Sequence, residues 1–495
     1  MTAPNILFIL SDQHAPGMVG AHGNAWVSTP HLDRLAARGR SFSRCYTPSP
    51  LCGPARMSLL TGMLPSKIGC FTNSDTLASD MPTYAHSLGA AGYRTVQVGR
   101  LHSMGPDQLR GFQTRLVGDH SSNWIGAPGH DMGVLADTTR PHRISLAQSG
   151  RGHSVYESHD RDVTEAALGQ LDALAAAVDD RPFLLHVGYI LPHQPYVAAP
   201  ELVEKYLALL PPDLPLGEPP DHPYFKWWRS HTGLDKVTAE ENRRALAAYY
   251  ALVEVMDGMI GQLLDRLEAL GLAENTLVIY TSDHGEMMGN KGLWWKQCFF
   301  EDAARVPLIA AWPGHIAPGN CDSLCSLCDL SATMIACAGA TPLPDSDGHS
   351  LRPLFADGPA VPRDIVSEYY ADGLARWPGR TRRYQRMLRR DQWKYIHFND
   401  APAMLFDLEA DPEEETNLAG TPGCAGIEAE LHRATMADWN VDKIAATMDS
   451  RAERKRLLME WARKTQPQDR HRWTFASGDN MLNDDLKEWE TARGQ

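Results

Sequence analysis

The sequence predicts an α/β protein: a large, mostly parallel central sheet with helices on both faces, followed by a smaller C-terminal α+β domain with a short antiparallel sheet. Three observations carry this expectation. Buried apolar runs alternate with amphipathic helical segments through most of the chain before residue 363. Two of those runs, NILFILSD and TLVIYTSD, end abruptly on an acidic residue, where a parallel sheet would place ligand groups at its carboxyl edge. After about residue 363 the composition shifts to short apolar runs broken by turns. The expected organisation is a large domain over 1–363, a smaller one over 364–450, and a tail over 451–495.

In order, NILFILSD reads as a buried strand emptying into a polar loop, and HLDRLAARG as a helix stopped by glycine. SFSRCYTPSP is a short strand leading into a proline-rich turn before Cys52, and ARMSLLTG gives a helix just after it. MPTYAHSLGAAGYRTVQVG repeats the pattern of amphipathic helix, glycine turn and strand, ending at Gly99. RDVTEAALGQLDALAAA is a helix, PFLLHVGYI a strand, and the long helix ENRRALAAYYALVEVMDGMIGQLLDRLEALG precedes TLVIYTSD. Residues 114–160 and 208–236 are rich in Gly, Pro, His and Trp without clear periodicity, and read as long loops that shape a site or as insertions. DIVSEYY, RYQRMLRR, WKYIHFN and AMLFDLEADPEEETNL read as short strands and turns of the second domain. The tail carries a basic amphipathic segment, RKRLLMEWARK, which can pack on its own domain or, in the favoured reading, on a neighbouring subunit.

Composition narrows the function. With 495 residues, 43% of them apolar, the chain can bury a large core. A formal charge of -14 argues against a nucleic-acid binder or an anionic-membrane surface protein, although a local field in a cleft can still receive an anion. The opening MTAPNILFILSD lacks a positive n-region and meets an acid soon after its apolar run, so no secretory signal is expected, no later stretch is long enough to span a bilayer, and a cytoplasmic protein is expected. The nine cysteines are odd in number and irregularly spaced, which argues against a disulfide framework. Cys321, Cys325 and Cys328 have ligand-like spacing but no fourth ligand nearby, and read as core cysteines.

The most informative stretch is LCGPARMSLLTG, which places Cys52-Gly53-Pro54-Ala55-Arg56 ahead of Leu60-Thr61-Gly62. Alone, Cys52 could be one more small buried hydrophobe. Together with the acidic strand ends at Asp12 and Asp283, it resembles the type I sulfatase family. There the cysteine of C-x-P-x-R is oxidised to formylglycine, whose aldehyde hydrate is the nucleophile. The resemblance covers about Asn5 to Leu418, and LFDLEADPEEETNL resembles a recurring C-terminal element of the same family. It implies an alkaline-phosphatase-like fold, a single divalent metal and maturation by a formylglycine-generating enzyme.

Residue by residue, the resemblance assigns Asp12, Gln13, Asp283 and His284, with oxidised Cys52, to a metal, Ca²⁺ first and Mg²⁺ or Mn²⁺ next. The oxygen donors suit a hard cation, whereas an unmodified thiol does not. Asp12-Gln13 stands where most members have two acids, and Asp283-His284 where asparagine is common, leaving less negative charge around the metal. Both pairs occur in choline-sulfatase-like and phosphonate-monoesterase-like branches. Arg56 lies one helical turn after Cys52 and can support its charged form. Arg100 and His102 match a Lys-x-His pattern, Arg100 replacing a compact ammonium by a planar fork. His102 is implied as hydrogen-bond partner and base toward the nucleophile. His193 and Lys296 are implied as sulfate ligands serving the leaving oxygen, and Asn73 as a further substrate contact. Trp124, Tyr196, Trp294 and Trp295 are candidates for a leaving-group pocket or an ammonium cage.

The expected function is hydrolysis of a small-molecule sulfate monoester to an alcohol and inorganic sulfate by a homo-oligomer. The rivals are a phosphonate or phosphate ester hydrolase on the same scaffold, a choline sulfatase, and a non-catalytic binding protein that kept the fold.

Overall fold

The computed structural model describes residues 3–356, 358, 362–376 and 378–482. The central strand β1 (Asn5–Asp12) shows why the large sheet is buried on both faces. Its side chains alternate between two separate cores: Leu7 and Ile9 join one, Ile6, Phe8 and Leu10 the other, all at most 1% exposed. Period-two alternation with both sets apolar makes the run continuous in sequence. Burying each such side chain contributes about 1.5–3 kcal/mol.

Seven further strands complete this sheet: β2 (Arg40–Phe42), β3 (Arg94–Gly99), β4 (Thr114–Leu116), β5 (Phe183–Pro192), β6 (Thr276–Ser282), β7 (Leu308–Ala311) and β8 (Gly319–Cys321). Their order is β8-β2-β7-β6-β1-β5-β3-β4, with β6, β1, β5, β3 and β4 mutually parallel and β7 antiparallel to both neighbours. The first core is covered by α1 (Pro30–Arg38), the helix Val155–Ala175 and the helix Ala239–Ala269. The second is covered by the helices Cys52–Thr61, Tyr84–Ala90 and Cys328–Ala338. The expected architecture, a mostly parallel sheet between two helical layers, is observed.

A second sheet of four antiparallel strands, β9 (Ile365–Asp372), β10 (Arg382–Arg390), β11 (Trp393–Phe398) and β12 (Met404–Asp407), runs in sequence order. The helix Ala425–Met436 packs on it through Leu431, against Leu388, Tyr395 and Leu405. Lys394 ties this sheet to the first body: its buried ammonium donates to the Phe299 carbonyl and pairs with Glu301 and Glu414 at 2.6 and 2.7 Å.

Two local readings change, and the described part of the tail can be placed. The helix at Val155 starts six residues before the sequence segment RDVTEAALGQLDALAAA, because Ser154 caps it by accepting the Tyr156 N–H. The segment over 208–236 contains a helix, Pro223–Thr232, capped by the His222 ring and closed by Gly233 at φ +78. Aromatic packing rather than periodicity drives it: Tyr224, Phe225 and Trp228 are buried. The described part of the tail lies on its own chain. The helix Val441–Thr465 buries Ile444 and Met448 beside Phe71 and Tyr370, and Lys455 pairs with Asp75 and Asp372. Met481 and Leu482 then pair with His153 and Gly152. Residues 483–495 of the expected tail lie outside the described residues. No described helix is long and apolar enough to cross a membrane. All nine cysteines are free, and Cys321, Cys325 and Cys328 are buried, in keeping with the core reading.

Candidate active site

Sheet order decides the site. The carboxyl ends of β6, β1, β5 and β3 lie side by side, and each delivers residues the sequence singled out: Asp283 and His284, Asp12 and Gln13, His193, and Arg100 with His102. The helix Cys52–Thr61 brings its first turn to the same edge. The helix dipole there favours negative charge. Gly53 lets this approach be close, since a Cβ would stand 3.0 Å from Asn73 Oδ1 and 3.1 Å from Asn73 Cα and press the Asn73 segment back by a few tenths of an ångström. Asn73 Oδ1 accepts the Gly53 N–H at 2.8 Å, which fixes the turn carrying Cys52.

Cys52 is 1% exposed, with Sγ 3.1 Å from His284 Nε2 and 3.5 Å from Asp12 Oδ1. Burial, reinforced by the Asp12 charge, pushes its thiol up to about 12. As a thiol it would therefore stay protonated at neutral pH. Arg56, also buried, donates from Nε to Asp283 Oδ2 at 2.8 Å and from Nη2 to Asp12 Oδ2 at 3.3 Å. It also serves the carbonyls of Ser11 and Arg100. Burial alone would raise the Asp12 carboxyl, but Arg100, His193, Arg56 and Lys296 together hold it well below the usual carboxylate range. This carboxylate is thus available as an anion.

Arg100 uses its whole fork. Nε bonds Asp12 Oδ2 at 2.6 Å, Nη2 bonds His102 Nδ1 at 3.1 Å and Nη1 bonds His120 Nδ1 at 3.4 Å. A lysine could not serve three acceptors in this planar geometry. Because a guanidinium only donates, both Nδ1 atoms accept, so each neutral ring keeps its proton on Nε2. Burial and then Arg100 press His102 down to about 3, so its ring is neutral. In this tautomer His102 enters the site as a donor. Its backbone N–H is clamped by Asp119 at 2.9 and 3.1 Å, and Asp119 is paired with Arg115.

His193 follows the buried strand β5, whose end is held by Asp160: that carboxylate accepts the N–H groups of Ile190 and Leu191 at 2.8–3.0 Å. His193 Nδ1 lies 2.6 Å from the Gln194 carbonyl and so donates to it, leaving Nε2 as the nitrogen facing a ligand. Burial and then the Lys296 charge hold the ring well below its usual value.

Gln13, in the left-handed region at φ +68, donates its backbone N–H to Asp283 Oδ1 at 3.1 Å. Its side-chain Nε2 engages Gln194, Tyr196 and Glu286, while Oε1 accepts the Lys296 ammonium. Sequence reasoning missed Glu286, a fully buried carboxylate that also accepts from Tyr196 at 2.7 Å and from the Met288 and Trp295 N–H groups. Its place three residues after Asp283 was the available signal. His120 and Tyr156 were also missed, because both fall in the segment without periodicity.

The expected aromatic pocket is corrected. Trp294, Trp295 and Tyr196 are 0% exposed, with polar atoms committed to Asn242, Ser145 and Glu286. Trp124 rests instead on Trp461. Rings this buried fill the core and offer no face to a ligand.

Among the described residues, one metal-capable cluster fits a divalent ion. Ligand atoms of Asp12, Cys52, Asp283 and His284 lie within 4.8 Å of one another and are all buried. His284 Nδ1 is held by the Gly285 carbonyl, which turns Nε2 toward the carboxylates at 3.5 and 3.7 Å. Two carboxylates with an oriented imidazole suit a hard or borderline cation; an unmodified thiol in the same set does not suit a hard one.

Comparison with known proteins adds three findings. The family model described as Sulfatase matches residues 4–340, and the one described as N-sulphoglucosamine sulphohydrolase, C-terminal, matches residues 289–440. A choline-sulfatase of Rhizobium meliloti (strain 1021) is 35% identical over 472 residues, covering 91% of this chain and 90% of its own. An arylsulfatase K of Canis lupus familiaris is 31% identical over 450 residues, covering 84% and 79%. In fold, the chain is similar to the phosphonate monoester hydrolase of Agrobacterium radiobacter, with a TM-score of 0.72, 23% identity and coverage of 90% and 96%.

Proposed function

We propose, from the premise that this chain belongs to the sulfatase family and is a sulfuric ester hydrolase, that it cleaves sulfate monoesters to an alcohol and inorganic sulfate at the Cys52 site. The observation that carries the assignment of the site is the convergence of four parallel strand ends on the first turn of the Cys52 helix, with Arg56 and Arg100 bonded to the same carboxylate.

Asp12, Asp283 and His284 are the proposed metal ligands, with Gln13 Oε1 beside them, and Ca²⁺ is the proposed ion. Bound there, it would supply Lewis-acid neutralisation of the ester oxygens. Oxidation of Cys52 to formylglycine, by a dedicated maturation enzyme, would supply an oxygen nucleophile in place of a thiol that burial keeps protonated.

The chain's own residues do the rest. Arg56 holds both carboxylates in place, so they stay ionised and fixed while charge moves beside them. Arg100 and the Lys296 ammonium neutralise the transferred sulfuryl group. The His102 Nε2–H donates to oxygen on residue 52. A base role for His102 would first require that proton to leave, so donation comes before any acceptance. His193 Nε2 and Lys296 face the leaving oxygen. With His193 Nδ1–H committed to Gln194, Lys296 is the better proton source. Asn73 contributes mainly by fixing the turn at Gly53.

A phosphonate or phosphate ester hydrolase is the second reading, favoured by the concentration of Arg56, Arg100 and Lys296 around one acceptor site, since a phosphate monoester brings more negative charge. Choline sulfate is a further candidate by likeness to the Rhizobium meliloti relative. A cytoplasmic location and a homo-oligomeric state are also proposed. The test is peptide mass spectrometry across residues 52–56 of protein made with the maturation enzyme, followed by sulfate, phosphate and phosphonate ester assays on that preparation. An aldehyde with sulfate release supports the reading. A thiol together with no turnover overturns it.

A further inference from the structure

Glu286 lies behind the strand-end site, 0% exposed, and no step of the proposed chemistry uses it. A carboxyl group buried this deeply is tolerated when donors meet its oxygens. Oε1 accepts the backbone N–H groups of Met288, at 3.2 Å, and of Trp295. Oε2 accepts the Tyr196 hydroxyl at 2.7 Å and the side-chain amide of Gln13.

These bonds decide which way the Gln13 amide faces. Its Nε2 carries two protons. One reaches Gln194 Oε1 at 2.7 Å, and the other lies between Tyr196 Oη, at 3.2 Å, and Glu286 Oε2. The amide oxygen is left for the opposite side, where the Lys296 ammonium donates to it. An ammonium cannot accept, so the orientation is the same read from either end. Lys296 in turn acts electrostatically on Asp12, Cys52 and His284, which puts this oxygen on the side of the proposed metal ligands. A second acid at position 13 would place one more negative charge beside an anionic ester. Gln13 offers oxygen without charge, and the acid stands one side chain further back.

We infer that Glu286 is a positioning residue that orients the Gln13 amide, holding Oε1 toward Lys296 and the metal. The inference rests on the metal reading of Asp12, Asp283 and His284. The backbone makes an isosteric change informative. In E286Q the new amide keeps its oxygen on the N–H groups of Met288 and Trp295, because an NH2 there would face two donors. Its own NH2 then faces Gln13, which must turn its oxygen inward and its NH2 toward the Lys296 ammonium. Donor meets donor, and the cation loses a carbonyl ligand. Adding Q13E restores acceptors on both sides: one carboxylate oxygen takes the new NH2 and the other takes Lys296. Q13E alone sets two buried carboxyl groups face to face.

The test compares wild type, Q13E, E286Q and Q13E/E286Q as full, matured chains freed of metal by chelator. Calorimetry reads Ca²⁺ binding, and urea unfolding followed by circular dichroism in chelator reads the same cycle without a cation. E286Q is expected to bind Ca²⁺ about ten-fold more weakly than wild type, and Q13E/E286Q to recover that affinity or exceed it. In chelator, E286Q should lower the urea midpoint of wild type but raise that of Q13E. A residue that only fills space would lower it in both backgrounds. If E286Q fails to fold, the comparison of Q13E with Q13E/E286Q carries the test. Wild-type Ca²⁺ affinity in E286Q, or a midpoint lowered in both backgrounds, overturns the inference. Opposite midpoint shifts in a wild type that binds no Ca²⁺, Mg²⁺ or Mn²⁺ leave Glu286 as the residue that orients Gln13 and sink the metal reading.

Discussion

Arg56→Ala removes a guanidinium that is 1% exposed and serves four acceptors: the carboxylates of Asp12 and Asp283 and the carbonyls of Ser11 and Arg100. None of these acceptors can turn to water, because Asp12 and Asp283 are 0% and 1% exposed. Removing one member of a buried ion pair costs about 3–5 kcal/mol, because the partner charge stays behind. Asp12 keeps Arg100, so Asp283 bears most of that cost. Arg56→Lys keeps the charge but loses the fork. It gives up two or three hydrogen bonds at about 0.5–1.5 kcal/mol each, which predicts a loss of about 1–4.5 kcal/mol. Urea unfolding followed by circular dichroism, in chelator and then in excess Ca²⁺, separates the effects. The alanine variant should be the least stable in chelator and should gain more than wild type from the cation, which replaces the missing positive charge. An alanine variant within about 1 kcal/mol of wild type in chelator would refute the ion-pair argument.

Three further outcomes are expected. Asp160→Ala removes the acceptor of the Ile190 and Leu191 N–H groups and leaves two buried donors unpaired at about 1–3 kcal/mol each, about 2–6 kcal/mol in thermal unfolding; an unchanged melting temperature would show that Asp160 does not hold the His193 strand end. Asp257, buried under the helix N-terminus at His31 and Leu32, is raised to about 6, chiefly by burial, so the folded chain binds its proton more tightly than the unfolded one. The stability this contributes is present below about pH 4 and lost as pH rises through about 6, so the advantage of wild type over D257N should shrink by up to about 3 kcal/mol from pH 4 to 7. A pH-independent difference in urea unfolding counts against it. Finally, a divalent cation at about a hundred times its Kd should stabilise wild type by about 2.7 kcal/mol and leave D283N nearly unmoved; no shift with Ca²⁺, Mg²⁺ or Mn²⁺ removes the metal from the proposed function.

The sequence by itself determined the sheet and the composition of the candidate site. NILFILSD, PFLLHVGYI and TLVIYTSD are apolar on both faces, which only a sheet covered by helices on each side can bury. Their abrupt polar ends mark Asp12 and Asp283, and the resemblance carried by C-x-P-x-R adds Cys52, Arg56, His193 and His284 as candidates before any coordinates. Periodicity is a local signal and these elements are locally encoded. The tertiary structure alone decided adjacency and hydrogen-bond direction. Sheet order β6-β1-β5-β3 is a matter of pairing between segments far apart in the chain, and it is what turns four strand ends into one site. Arg100 looked like a plain substitution until its fork was seen to fix two imidazole tautomers. Trp294 and Trp295 read as a pocket because burial cannot be read from residue type, and they are core. His120, Tyr156 and the tail residue Arg472 meet across segments without periodicity, held by side-chain bonds that leave no repeat in the sequence.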